Sequence, residues 1–241
     1  MTRKNILMST LKLSAVAAGL ALMASMPATA QPAGPVGGAP IFDAPQGVPN
    51  FSGKWINAKP EAALTTVEGA APPLNAAGQA EYAKHKADKK ADPINECLLQ
   101  GEPRLLYTKR PFLIMQYGKH VDFVHEVNHT FRITYFNDKI DPDGDPQWLG
   151  HPTAKWEGKT LVINSELFND QTWLDYSGLP HGLKLKTEER YELSADGKTI
   201  HGVVKIDDPE FYSKPWTTAF TLIKQPGFEL IQRACMADHV M

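Results

Sequence analysis

From Leu105 onward the chain alternates between apolar and other side chains, and this period of two constrains its fold more than any other feature. Successive side chains on a strand point to opposite faces, so each run offers one face to a core. Leu105 and Tyr107 open the pattern. Phe112, Ile114 and Gln116 follow, then Val121, Phe123, His125 and Val127, then Phe131, Ile133 and Tyr135. Gly118-Lys119 and Asn128-His129 lie between runs as tight turns. Farther on, 156–161 reads as strand, turn, strand, and 183–193 as one long strand. A turn at 194–198, a strand at 199–206 and another at 216–223 come next, with a last strand at 228–233 after Gln225-Pro226-Gly227. Together with a first strand at 51–56, this makes nine or ten strands joined mostly in sequence. Neighbours on tight turns pair antiparallel. Such a meander closes on itself or curls, because long free edges invite aggregation. The expected fold is mainly β: an antiparallel meander closing into a lipocalin-like (calycin-type) barrel or a half-open sheet, with one N-terminal helix. That helix spans 74–90, is capped by Asn75 and stops before Asp92-Pro93. Its charges, His85 included, read as a solvated face. A closed barrel of this size has room for one small ligand.

The N-terminus carries a different signal. Arg3, Lys4 and Lys12 precede an uncharged run from Leu13 to Met26, and Pro27-Ala28-Thr29-Ala30 closes it. A basic start, a short apolar core and an Ala-x-Ala end are the parts of a cleavable secretory signal, expected at 1–30. The run is short of the ~20 apolar residues that span a bilayer, and no second long apolar stretch follows. Residues 31–50 are rich in Pro and Gly and read as a flexible linker. Residues 51–241 form a single β-rich domain, large enough to bury a core. The mature chain has 22 basic and 27 acidic residues, a formal charge of −5. No basic cluster in it is longer than Lys89-Lys90, which argues against nucleic acid as a partner. A periplasmic or secreted location is expected. In that oxidising compartment Cys97 and Cys235 invite a disulfide, with two separate buried thiols as the alternative.

Motifs narrow the chemistry. His125-Glu126-Val127-Asn128-His129 spells the zinc-protease string, but that site needs a helix to put both histidines on one face. β-branched and aromatic flanks favour a strand instead, where residues four apart are ~13 Å from each other. Asp141-Pro142-Asp143-Gly144-Asp145 lacks calcium-loop spacing and reads as a solvated turn. There is no nucleophile elbow, P-loop or dinucleotide fingerprint. No metal and no cofactor is expected. Two long connections hold the candidate site, since ordered loops on a rigid barrel are where sites usually sit. His151 and His181 would serve as general base and acid, and Asp170 would orient one of them. Trp148, Trp173, Asn169 and Asp175 would line the pocket. A second constellation faces the barrel interior. His125 is expected across from Arg132, with Tyr135 further along the same strand, binding a polar end of a ligand or satisfied by Asp207 or Asp208.

A set of blocks also carries a resemblance. Gly150-His151, Trp156-Glu157-Gly158-Lys159-Thr160-Leu161-Val162, Phe168-Asn169-Asp170, Thr172-Trp173-Leu174-Asp175 and Gly178-Leu179-Pro180-His181 belong to it. So do Glu189-Arg190-Tyr191, Asp207-Asp208-Pro209 and Pro215-Trp216-Thr217. Over about 51–235 the chain resembles a large group of exported single-domain proteins of soil and aquatic proteobacteria, mostly uncharacterised. The resemblance implies an exported β-rich domain and brings no agreed activity. Three functional classes follow for the sequence. The first is a cofactor-independent lyase, isomerase or hydrolase acting on a small apolar or aromatic molecule. The second is a non-catalytic lipocalin-like binding protein, and the third an envelope-associated interaction module.

Overall fold

A computed structural model describes residues 46–231 and Cys235. The secretory signal and most of the linker expected before Phe51 lie outside the described residues. Nine strands close into one barrel in sequence order. They are β1 (Gly53–Asn57), β2 (Phe112–Gln116), β3 (His120–His125), β4 (Phe131–Phe136) and β5 (His151–Glu157). β6 (Thr160–Glu166), β7 (Lys186–Leu193), β8 (Thr199–Asp207) and β9 (Trp216–Lys224) complete it. β1 pairs antiparallel with both β2 and β9, which removes both free edges. The helix α1 (Ala76–Ala87) starts where Asn75 accepts a hydrogen bond from the Gly78 backbone N–H.

Three parts of the sequence reading need correction. Leu105 and Tyr107 do not alternate along a strand, because 3-10 turns occupy Arg104–Tyr107. All four of these residues are buried, so sidedness there reflects a plug rather than a sheet. Residues 228–231 form no strand, and 232–234 lie outside the described residues. β4 and β5 pair in parallel, through Tyr135↔Thr153 and Phe136↔Ala154. The connection 137–150 therefore runs back along the barrel before β5 begins, as parallel neighbours require.

This parallel step and the antiparallel pairs place the loops. The ends of β1, β3, β6 and β8 and the starts of β2, β4, β5, β7 and β9 share one rim of the barrel. The connections 58–111, 126–130, 167–185 and 208–215 all arise from that rim. At the opposite rim lie the short turns 117–119, 158–159 and 194–198 and the start of the connection 137–150. Segment 101–108, buried throughout, is tied down at the loop-bearing rim. The Asn57 side-chain amide donates to the Leu106 carbonyl oxygen at 2.7 Å, and the Tyr107 hydroxyl donates to the Ala219 carbonyl oxygen at 3.0 Å.

Side chains fill the barrel rather than leaving it hollow. Trp55, Phe112, Ile114, Phe123, Leu161, Ile163, Tyr191, Val204, Phe220 and Leu222 form much of its core. Gly202 makes room for the Phe220 ring, since a Cβ there would overlap the ring and the Arg190 carbonyl. Cys97 and Cys235 form the disulfide, linking positions 138 residues apart.

Candidate functional site

The loop-bearing rim holds two cavities and, beneath them, a buried polar cluster inside the barrel. The cluster comes from β3, β4, β7 and the plug. Arg132 makes a two-bond fork with Glu189, at 2.7 and 3.0 Å. The Tyr191 hydroxyl donates to the same carboxylate. Glu102, on the plug, has Oε1 3.7 Å from Arg132 and 3.9 Å from His125 Nε2, beyond hydrogen-bond reach of either. All four side chains of this charged set are at least 98 % buried. Phe112 stacks on His125 at 4.8 Å, and the Arg132 guanidinium lies 4.6 Å from the centre of the Phe123 ring.

This arrangement decides where the protons sit. The Glu189 carboxylate accepts three hydrogen bonds, two from Arg132 and one from Tyr191, whereas among the described residues neither oxygen of Glu102 has a hydrogen-bond partner. Burial, opposed by Arg132 and reinforced by the Glu189 charge, pushes the Glu102 carboxyl up to about 8. Burial and the nearby Arg132 hold the His125 imidazole down at about 3. At neutral pH the cluster is thus one ion pair with a protonated Glu102 and a neutral His125.

The interior constellation was only partly legible. His125 and Arg132 do face the interior, but they are not opposite each other. Arg132 lies across from Phe123, and the His125 N–H donates to the Thr130 carbonyl oxygen at 2.7 Å. The turn is two residues longer than the two-residue form, and both extra residues, Glu126 and Val127, lie on the β3 side, which shifts the register. Tyr135 does not join Arg132, because an odd separation on a strand puts two residues on opposite faces. Phe131, Ile133 and Tyr135 point outward, 65, 42 and 49 % exposed, while Arg132 and Thr134 point in. The partners of Arg132 are Glu189 and Glu102, not Asp207 or Asp208; Asp208 accepts the Gly182 and Glu210 N–H groups instead. The zinc-like string is split between a strand end and a turn, with His125 buried and His129 exposed.

The smaller cavity, about 400 Å³, gathers part of the predicted catalytic set. Asp170, Thr172, Trp173 and His181 line it, with Glu81 and His85 from α1 and Glu210 opposite. His181 is buried, and desolvation lowers its imidazole to about 4. The Gly182 carbonyl oxygen, 3.4 Å from Nδ1, assigns the ring proton there, so Nε2 accepts from the Thr172 hydroxyl at 2.6 Å. His85, read from sequence as solvated, donates from Nδ1 to the Gly178 carbonyl oxygen at 2.8 Å and stacks on Trp173 at 4.5 Å.

His151 does not meet His181 there. It begins β5, outside the lining of either cavity, with Nε2 2.8 Å from the Asp145 carbonyl oxygen. Trp148 and Asn169 also lie outside both linings. Asp175 is a turn cap: its carboxylate accepts N–H groups from Leu64, Ser177, Gly178 and Leu179 at 2.9–3.0 Å, together with the Ser177 hydroxyl. Little acceptor capacity remains there for a ligand.

The larger cavity, about 780 Å³, was missed altogether. Its apolar wall includes Pro60, Ala62, Ile94, Tyr107, Val127 and Tyr176. At its buried side Arg104 forks onto Asp92 at 2.8 and 2.6 Å and stacks on the Tyr176 ring at 4.2 Å. The Tyr176 hydroxyl donates to Gln100. Lys109 and Arg110 stand at its more open side. The linings come from 60–62, 92–110, the β3–β4 turn and Tyr176, none of which shares a periodic pattern. The one local cue was the charged Glu102 and Arg104 inside an otherwise apolar stretch.

The fold and these cavities define a closed-barrel protein with open clefts among the loops at one end. No family model matches the chain, and no curated protein matches it. Among the described residues no helix is long and apolar enough to cross a membrane, and no group of three His, Cys, Asp or Glu side chains is placed to hold a metal ion.

Proposed function

We propose that this is an exported protein that binds a small apolar or aromatic molecule in the larger cavity at the loop-bearing rim of the barrel. The observation that carries the reading is that cavity itself. Its volume of about 780 Å³ lies in the range of small-molecule sites, and its wall is mainly apolar with a few polar groups. The ligand sits at the rim rather than in the barrel interior, which side chains fill. Export draws support from the signal-like N-terminus and from the Cys97–Cys235 disulfide, a bond typical of oxidising compartments. Binding without turnover is the favoured form, since His151 and His181 do not share a cavity and no paired acid and base lines the larger one.

The test is equilibrium titration with the neutral fluorophore N-phenyl-1-naphthylamine. Wild type is expected to bind and enhance its emission. Val127→Trp and Ile94→Trp replace half-buried wall residues by bulk and are expected to abolish binding while keeping the circular dichroism and melting profile. Absence of binding to wild type, or equal binding by folded filled variants, would refute the assignment.

A further inference from the structure

We infer that the ligand of the larger cavity is an amphipathic anion, an aliphatic or aromatic acid whose charged head lies at Lys109 and Arg110. This rests on the cavity being the binding site. The argument is a charge balance around an apolar space. Among the described residues three carboxylates line the cavity, and each already has a cation. Asp92 is held in the fork from Arg104. Glu61 is 2.9 Å from Lys59. Glu126 is buried and faces Arg110 at 3.9 Å. Lys109, by contrast, has no carboxylate within 4.0 Å among the described residues, although it lines the same space and is exposed. The Arg110–Glu126 separation is too long for a hydrogen bond, so the guanidinium donors are not consumed by that pair.

Polarity is also distributed along the cavity. Its buried side is closed by the neutralised Arg104–Asp92 pair, the Tyr176 ring and Tyr107, and offers surface for an apolar body. The cations sit where the cavity opens. A molecule with an apolar tail and an acidic head matches both ends. An ammonium head would meet Lys109 and Arg110, and among the described residues each carboxylate of the lining already faces a cation. A neutral molecule would use the wall alone. Charge-assisted hydrogen bonds exceed neutral ones, which sets the size of the expected preference.

The experiment is displacement of bound N-phenyl-1-naphthylamine from the oxidised full-length protein by decanoate, decan-1-ol and decylammonium, which share one tail and differ in the head. Decanoate is expected to compete about tenfold more strongly than the alcohol, and decylammonium no better than the alcohol. In the double variant Lys109→Gln/Arg110→Gln the decanoate advantage over the alcohol, both measured in that variant, is expected to vanish. Equal competition by the three heads, or a decanoate advantage that survives in the double variant, overturns the anion assignment and leaves the cavity assignment standing. Failure of the fluorophore itself to bind wild type overturns both.

Discussion

Replacing Glu102 by Gln is expected to change how stability depends on pH. Glu102 has a carboxyl raised from 4.5 to about 8 by burial, and its oxygens accept no hydrogen bond. A carboxyl whose folded value is raised stabilises the folded state fully below its unfolded value. That contribution is lost as pH rises through the folded value. Across pH 6.5 to 8 the unfolded chain has released this proton and the folded chain largely retains it. Stability should therefore fall by about 1.4 kcal/mol per pH unit, or about 2 kcal/mol over the window. Below 6.5 the sign reverses. His125 and His181 are lowered from 6.5 to about 3 and about 4, so each favours the folded state above 6.5 and withdraws that support as pH falls. Two such groups outweigh Glu102, and stability should peak near pH 6.5. The assay is urea unfolding at half-unit steps from pH 5 to 8.5. In Glu102→Gln the side chain cannot ionise, and the limb above pH 6.5 should flatten. A flat wild-type profile there, or an unchanged slope in the variant, would refute the assignment of the proton to Glu102.

Other perturbations test the same framework. Glu189→Gln removes the charge that holds Arg132 and is expected to cost about 3–5 kcal/mol in denaturant unfolding; Arg132→Met combined with Glu189→Leu should recover most of that loss, because no uncompensated charge stays buried. Cys97→Ser with Cys235→Ser releases a loop of 138 residues and should lower stability by about 2–4 kcal/mol, read as a shift of the urea midpoint. Gly202→Ala drives a Cβ into the Phe220 ring and the Arg190 carbonyl, and should cost about 1–3 kcal/mol with the barrel retained by circular dichroism.

Some of these features could be read from local pattern. Phe112, Ile114 and Gln116 and then Val121, Phe123 and His125 alternate as expected, and each of them faces the core. In β4 the same logic chose the wrong face. Phe131, Ile133 and Tyr135 are the apolar members of the alternation, yet they point outward, because Arg132 and Thr134 meet Glu189 and the interior. Hydrophobicity alone assigns the apolar face inward, and it fails where a buried ion pair sets the sidedness. The predicted site residues are separated for a related reason. The sequence reading weighted residue types on the loops 147–151 and 168–181, and the structure divides them. Trp173, Asp170 and His181 share a cavity, Asp175 caps a turn, and His151 stands elsewhere.

What the sequence by itself determined was a mainly β chain of sequential, mostly antiparallel strands, the position of most of them, and the capped helix, while closure into a barrel was decided by the tertiary structure. The strands and the helix depend on neighbours two to four residues apart, or on a turn between adjacent runs. The candidate disulfide followed from compartment and an even cysteine count rather than from pattern. Tertiary structure alone decided the parallel β4–β5 step, the plug at 101–108 and the cavity between Ile94, Tyr107, Val127 and Tyr176. It also decided the meeting of Glu102 with Arg132 and Glu189. These depend on residues tens of positions apart brought together by closure of the barrel. No local period encodes such a meeting, because its free energy comes from desolvation and charge pairing that exist only once the chain has folded.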